Sequence, residues 1–138
     1  MKAISKQRGL GMLQWALVIA VVGFFMLFAF KVVPMYAENR YVTSALTSLV
    51  EPGGKLEEMT NQEIMKKMGN FYMINNVRSE GPAKNIKIDR TNNRVLVTVD
   101  YETRTNFVAN IDVVVSFKNH LDSTRPHECC EPAATLAK

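Results

Sequence analysis

The feature that most constrains this chain is an apolar run near its start. Residues 10 to 30 read LGMLQWALVIAVVGFFMLFAF and carry no charge. As an α-helix, with a rise of about 1.5 Å per residue, this run is about 30 Å long, which matches the hydrocarbon core of a bilayer. Twelve of these residues are Leu, Ile, Val or Phe, all of which favour insertion. The sequence therefore predicts one transmembrane helix over residues 10–30, with the lipid bilayer as a partner.

A cleaved secretory signal is the competing interpretation of this run. Such signals have an apolar core of about 7–15 residues, followed by a cleavage site with small residues. Here the run is longer, and Lys31-Val-Val-Pro34 follows it. The length and the flanking residues favour an anchor that is retained.

The distribution of charge predicts the orientation of this helix. Lys2, Lys6 and Arg8 precede it, while all 13 acidic residues follow it and nearly balance the remaining basic ones. Basic residues favour the cytoplasmic side of a membrane. We therefore expect residues 1–9 to form a cytoplasmic basic N-terminus and the later residues to be periplasmic, in a bacterial inner membrane. Because the later residues are nearly neutral, nucleic acid is not expected as a partner.

The helical pattern continues past the apolar run. Val42, Ala45, Leu46 and Leu49 follow the i, i+3, i+4, i+7 spacing of a helix with one buried face. Pro34 should kink this helix, because it cannot donate a backbone hydrogen bond and its ring crowds the preceding turn. Residues 31–50 are therefore predicted to be a helix extension, which ends at the Pro and Gly residues that follow Glu51.

Residues 51–118 are predicted to form a small α+β domain. Thr60 and Glu63 form a capping-box pattern, so a short helix should run from Asn61 to Phe71, with Gly69 and Asn70 limiting its length. After a break at Gly81-Pro82, three stretches alternate apolar and polar residues, as strands do. The Asn92-Asn93 pair between the first two is predicted to form a tight turn, because asparagine tolerates positive φ. The predicted fold is α+β, with a small antiparallel sheet of three to four strands beside the helices.

The last segment, residues 119–138, is predicted to be a flexible tail because it has no periodicity and contains two prolines. It holds the only cysteines, Cys129 and Cys130, which are adjacent. Neighbouring residues cannot easily converge on one metal ion, so neither a metal site nor a cofactor is expected. The two thiols either join another chain or are inert, since a ring between adjacent cysteines is strained.

The sequence nominates no catalytic site. It contains no phosphate-binding glycine loop, no G-x-S-x-G and no H-E-x-x-H. Asp100 and Glu102 share one face of a strand, but that face also carries other charges, which indicates a solvated surface. We therefore expect a protein that is not an enzyme and takes no small-molecule substrate.

Two groups of residues are candidates for contact with another protein. Small residues recur within the membrane helix, where they would let a second helix approach closely, and an amide in hydrocarbon seeks a polar partner. A second candidate contact is the periplasmic loop between two strands. The candidate residues are Gln14, Ala16, Ala20 and Gly23 in the membrane, and Phe107, Val108 and Asn110 in the loop.

The start of the chain, MKAISKQRGLGMLQWALVIAVVGFF, resembles a type IV prepilin. That resemblance implies a basic leader that is cut after Gly9, so that the mature chain would begin at Leu10. In prepilins the fifth mature residue is a glutamate that supports filament assembly, whereas the corresponding residue here is Gln14. A neutral amide cannot replace a carboxylate in pairing with an amine.

A closer resemblance is to a family of small single-pass bacterial inner-membrane proteins of unknown function. It covers roughly residues 5 to 118, and its most specific part is VDYETRTNFVANIDVVVSF. Members of that family are often encoded beside signal peptidase I and ribonuclease III. The resemblance implies a role near protein export or envelope assembly.

Two functions follow as hypotheses. The leading one is a non-enzymatic accessory protein that binds another inner-membrane protein, with signal peptidase I as the first candidate, or that associates with itself. The alternative is a pilin-like or pseudopilin-like structural subunit that is processed after Gly9.

Overall fold

The computed structural model describes residues 11–51 and 53–130. Within these described residues there are three α-helices and three β-strands, and two short 3-10 turns lie at Leu56–Glu58 and Pro126–Glu128. In chain order the elements are α1 (Met12–Ser48), α2 (Asn61–Ile74), α3 (Glu80–Lys84), β1 (Ile86–Thr91), β2 (Arg94–Val108) and β3 (Ile111–Asp122). The predicted α+β class, with a long apolar N-terminal helix and an antiparallel sheet, is confirmed.

Helix α1 joins the apolar run to the rest of the molecule without a break. It has 37 residues and continues through Pro34, which lies inside the helix. Beyond this proline one side of the helix is buried by the sheet, at Met35, Val42, Ala45 and Leu46. That packing stabilises the outer half of α1, so that one missing backbone hydrogen bond does not end it. The kink at Pro34 stays a prediction.

Helix α2 begins where the capping pattern predicts and ends later than expected. The Glu63 amide donates to Thr60 Oγ1 (3.2 Å), and the Glu63 carboxylate accepts from the Thr60 amide (2.7 Å). The helix does not stop near Gly69, because Met68 and Tyr72 are buried on its inner side. It ends at Ile74, where Asn75 Nδ2 donates to the Phe71 carbonyl (2.9 Å).

The break predicted at Gly81-Pro82 is instead the short helix α3. Proline is tolerated in the first turn of a helix, where its missing N–H would have no partner. Gly81 lies against Tyr101, and a Cβ placed on Gly81 would be 3.0 Å from Tyr101 Cδ2. An alanine here would be in closer contact than is usual, so the Tyr101 ring would have to shift by a few tenths of an ångström.

The sheet is an antiparallel meander in the order β1-β2-β3. The Asn92-Asn93 pair forms the tight turn between β1 and β2, as predicted. Strands β2 and β3 form a long hairpin in which Tyr101 pairs with Phe117 and Val108 pairs with Ile111.

One core lies between the sheet and the two longer helices. The outer half of α1 and α2 cover the same face of the sheet, as the apolar alternation requires. The fully buried members of this core include Val42, Leu46, Leu49, Leu56, Ile64, Met68, Val97, Val99 and Leu121.

The structure corrects the predicted flexible tail over residues 119–130. Strand β3 continues to Asp122, and Leu121 is completely buried against the core. Cys129 and Cys130 are joined to each other by a disulfide, whereas the sequence favoured a bridge to another chain or inert thiols. Cys130 is buried beside α1, where its Sγ lies 3.5 Å from the Thr43 carbonyl, and it pairs with His120 through a backbone bridge. The rest of the predicted tail lies outside the described residues.

Candidate functional site

The β2–β3 hairpin extends beyond the core and runs along α1. Near the core, Tyr36 of α1 contacts Phe117 with the ring centroids 5.3 Å apart. At the far end, Phe107 contacts two rings of the apolar part of α1, Phe24 at 5.4 Å and Phe28 at 5.7 Å. The hairpin is therefore attached to α1 at both of its ends.

Helix α1 and the hairpin cover similar distances between these two contacts. From Tyr36 to Phe24 the helix rises about 18 Å, at about 1.5 Å per residue. From Tyr101, the cross-strand partner of Phe117, strand β2 advances about 20 Å to Phe107, at about 3.3 Å per residue. The tip of the hairpin consequently lies beside the segment that the sequence predicts to be transmembrane.

The hairpin tip, residues 106–111, is uncharged and mostly apolar. Its outward side chains are exposed, with 48% of Val108 and 63% of Ile111 accessible to solvent. Ala109 adopts a left-handed backbone conformation with φ of 50°, which closes the turn. Nδ2 of the Asn106 side chain donates to the Ala109 carbonyl (2.8 Å) and to Asp112 Oδ1 (3.1 Å), so the turn is held by internal hydrogen bonds.

The apolar part of α1 could cross a membrane once. It is long and apolar enough to do so, and none of its most apolar stretch is buried inside the molecule. Large apolar side chains point outward along its length, including Leu13, Trp15, Leu17, Ile19, Phe25 and Phe30. Exposed apolar surface of this extent marks a membrane or protein contact.

The predicted membrane contact residues do not all share one face. At about 100° per residue, Ala16, Ala20 and Gly23 fall within an arc of about 60°. Gln14 lies on roughly the opposite side of the helix. A single partner helix that packs against the small residues would therefore not meet Gln14.

Gln14 has a local role in the structure. Its Oε1 accepts a hydrogen bond from the Gly11 amide (3.1 Å), which is one of the unpaired donors at the start of α1. The side chain that the sequence offered for a partner is thus engaged in its own helix. The other predicted processing residues, Gly9 and Leu10, lie outside the described residues.

The predicted contact residues of the loop also have different environments. Phe107 is engaged by Phe24 and Phe28, whereas Val108 and Asn110 are exposed. Sequence reasoning missed both aromatic partners in α1, because their pairing with Phe107 depends on how far the hairpin extends. The only sequence signal was the unusual length of the two alternating stretches.

A polar cluster that the sequence did not reveal joins α1 to both long strands. Asn39 Oδ1 accepts hydrogen bonds from Asn119 Nδ2 (2.7 Å) and from the Tyr101 hydroxyl (3.3 Å). Burial, reinforced by the nearby carboxylate of Glu38, raises the pKa of Tyr101, so its hydroxyl stays protonated as a donor. Glu38 also accepts from the amide and the hydroxyl of Ser79 (both 2.8 Å). These contacts fix the outer half of α1 against the sheet.

The acidic pair that shares one face of a strand lies on the surface of the sheet. Asp100 and Glu102 are exposed, and Glu102 accepts a hydrogen bond from Ser116 (3.1 Å) on the sheet surface. Within residues 11–51 and 53–130, no group of three or more His, Cys, Asp or Glu side chains is arranged to hold a metal ion.

Comparison with known proteins gives one match. The family model for a domain of unknown function, DUF4845, matches residues 31–117, which run from the first charge after the apolar run to buried Phe117. No curated protein and no solved structure matches the chain. Because the matched residues make up well over half of the chain, this protein belongs to the DUF4845 family, whose function is unknown.

Proposed function

We propose that this protein is a non-enzymatic, membrane-anchored interaction protein of the bacterial inner membrane. The observation that carries the proposal is the continuous helix α1, which is bare and apolar at one end and packed into the core at the other. The N-terminus is cytoplasmic and the head, residues 51–130, is periplasmic, as the basic residues before the helix favour.

Contacts at two places hold the head in a fixed orientation relative to the apolar part of α1. Asn39 bonds to Tyr101 and Asn119, and Phe107 contacts Phe24 and Phe28 about 20 Å away along the strand. A head on a flexible linker would sample many positions, and each contact with a partner would cost ordering entropy. Fixed attachment instead presents the anchor and the head to one partner as a single surface.

The face of α1 that would contact this partner is the one with Ala16, Ala20 and Gly23. It lies beside the line that the hairpin follows, and Ala16 and Ala20 are exposed while Gly23 is half-buried. In hydrocarbon, small side chains allow two helix backbones to approach closely, and packing then stabilises the pair. Gln14, on the other side and bonded to Gly11, is not part of this contact.

Signal peptidase I is the first candidate partner, because the family that the sequence resembles is often encoded beside it. Self-association through the same face is the other form of the proposal. Both require a second helix against Ala20, and they differ in the identity of that helix.

Affinity purification from crosslinked membranes tests the proposal. We expect signal peptidase I to be enriched with the wild-type chain and lost with Ala20→Phe, which would block close approach. Val18→Phe is the matched control, because Val18 lies about 160° around the helix from Ala20. Recovery of the protein without any export component or second copy would refute the proposal, as would equal recovery with both variants.

A pilin-like structural subunit is the second candidate function. The feature that favours it is a membrane-length helix whose outer half packs on an antiparallel sheet, together with the leader-like residues before Gly9. Intact-mass measurement separates the two candidates. A mature chain that begins at Leu10 supports the pilin, and retention of residues 1–9 supports the anchor.

A further inference from the structure

We propose that the tip of the β2–β3 hairpin, residues 106–111, inserts into the lipid leaflet at the C-terminal end of the membrane helix. The protein would then meet the bilayer at two places, with a spanning helix and with a shallow loop. This inference rests on the placement of α1 in the membrane, and it holds whether or not a protein partner exists.

The position of Phe107 along α1 carries the inference. Phe30 ends the apolar run and Lys31 is the first charge after it, so the edge of the hydrocarbon core lies near this pair. Phe28 and Phe24 lie about 3 Å and about 9 Å inside that edge. Phe107 contacts both rings, which places it about 6 Å inside the hydrocarbon boundary.

That depth is typical of segments that lie at the membrane interface. Apolar faces of interfacial helices are buried about 5–10 Å into the boundary between headgroups and acyl chains. The exposed side chains of Val108 and Ile111 extend from the same tip and are apolar, as this environment requires. Transfer of apolar side chains of this size from water into hydrocarbon is favourable.

Of the two polar side chains of the tip, Asn106 is hydrogen-bonded within the turn and Asn110 is exposed. Asn106 satisfies the Ala109 carbonyl and Asp112 from within the turn. Asp112 also lies 3.8 Å from Arg104, which is farther from the tip and can extend its guanidinium toward the headgroups. Asp112, the first charged residue beyond the tip, pairs with Asn106 and so lies about 3 Å closer to the headgroups than Phe107.

Lipid is favoured over a protein as the occupant because the tip is continuous with the membrane helix. Any face of the hairpin that is level with Phe24 and Phe28 is surrounded by lipid once α1 spans the bilayer. A protein would have to displace that lipid to reach Val108. A protein contact is consequently an outcome of the test that would overturn the proposal.

Tryptophan fluorescence in vesicles tests the insertion. The full chain is reconstituted into phosphatidylcholine–phosphatidylglycerol vesicles, with Trp15→Phe to remove the only native tryptophan. Val108→Trp reports on the tip, and Ser116→Trp, at an exposed position higher on the hairpin, is the matched control. We expect bromine-labelled acyl chains to quench the tip tryptophan several-fold more strongly than the control, and iodide in water to quench it several-fold less.

The pattern of quenching decides among the outcomes. Equal quenching of both positions by iodide, with none by bromolipid, would overturn the proposal. Protection of the tip from iodide without quenching by bromolipid would also overturn it, since that indicates contact between copies of the chain. Ile111→Trp gives a second tip position, and circular dichroism of each variant identifies any that fails to fold. No partner protein is present, so failure of the partner proposal leaves this result unchanged.

Discussion

Gly81 packs closely against the ring of Tyr101. A methyl group there would meet the Tyr101 ring, which is itself held by Asn39 and packed on Phe117. We expect Gly81→Ala to lower the free energy of unfolding by about 1–3 kcal/mol, the usual cost of overpacking. Chemical denaturation of the full chain in detergent measures this.

Gly69→Ala is the matched control for that substitution. Gly69 lies inside α2, and a Cβ added to it would meet no atom within 4 Å. Alanine favours the helix over glycine by about 0.5–1 kcal/mol, so this variant should be more stable than the wild type. Destabilisation by Gly69→Ala, or no effect of Gly81→Ala, would contradict the packing described here.

Asp122 makes stability depend on acid pH. Its burial alone would raise the pKa of this carboxyl, but Arg94, 2.6 Å away, and the amide and hydroxyl of Thr124 outweigh burial and lower the pKa. Because the folded-state pKa is lower than the unfolded one, the stabilisation is present above about pH 4 and is lost as the pH falls through the folded-state value.

Thermal melting at about pH 6 and about pH 3 tests this dependence. We expect the melting midpoint of the wild type to be lower at about pH 3 than at about pH 6. The corresponding decrease should be smaller for Asp122→Asn. Asp89→Asn, which removes an exposed carboxylate on β1, should behave like the wild type. If the melting midpoint of Asp122→Asn decreased as much as that of the wild type, the acid sensitivity would have another source.

At the scale of elements, the contact between Phe107 and α1 is what aligns the hairpin with the membrane helix. Phe107→Ala removes two edge-to-face ring contacts, which are worth about 1 kcal/mol. We expect several-fold faster hydrogen exchange at the paired ends of the hairpin, near Val108 and Ile111, and little change at the core pairs of the sheet.

Phe30→Ala is the control for this measurement. Phe30 is 76% exposed, so its substitution removes a ring from the same helix without changing the contact with the hairpin. Unchanged exchange at the hairpin end in Phe107→Ala would mean that the contact does not hold the tip. Equal acceleration in both variants would point to a general loosening of α1.

Much of this architecture is predictable from local patterns. The membrane-length helix, the cap at Thr60 and the Asn92-Asn93 turn depend on residues close together in the chain, and each is found as predicted. The end of α2 is missed, because burial of Tyr72 outweighs the helix-breaking tendency of Gly69. The ordered segment after Lys118 is missed because its burial depends on α1, about 80 residues earlier in the chain.

The candidate site was predictable only in part for the same reason. Exposed Val108 and Asn110 lie in the tip that the sequence nominated. The separation of Gln14 from the small residues follows from helix geometry alone, whereas its bond to Gly11 does not. The Phe107 contacts require the relative lengths of a helix and a strand from distant parts of the chain.

At the scale of the whole molecule, orientation is the first property to test. We expect alkaline phosphatase fused after Lys138 to be active, since it folds only in the periplasm, and a green fluorescent protein fused there to be dark. Replacing Lys2, Lys6 and Arg8 with glutamate should weaken this preference, because it removes the positive charge that favours the cytoplasmic side. Fluorescence from that fusion on the wild-type chain would show that the orientation is the opposite of the one proposed.

The central claim is that α1 anchors the head and contacts a second membrane helix through one face. Its most direct test places a photo-crosslinking amino acid at Ala20 in living cells and, in a parallel strain, at Val18. We expect Ala20 to give one discrete adduct, identified by mass spectrometry as signal peptidase I or a second copy of this chain, and Val18 to give none. Lipid adducts alone at both positions, or the same protein adduct at both, would contradict the claim.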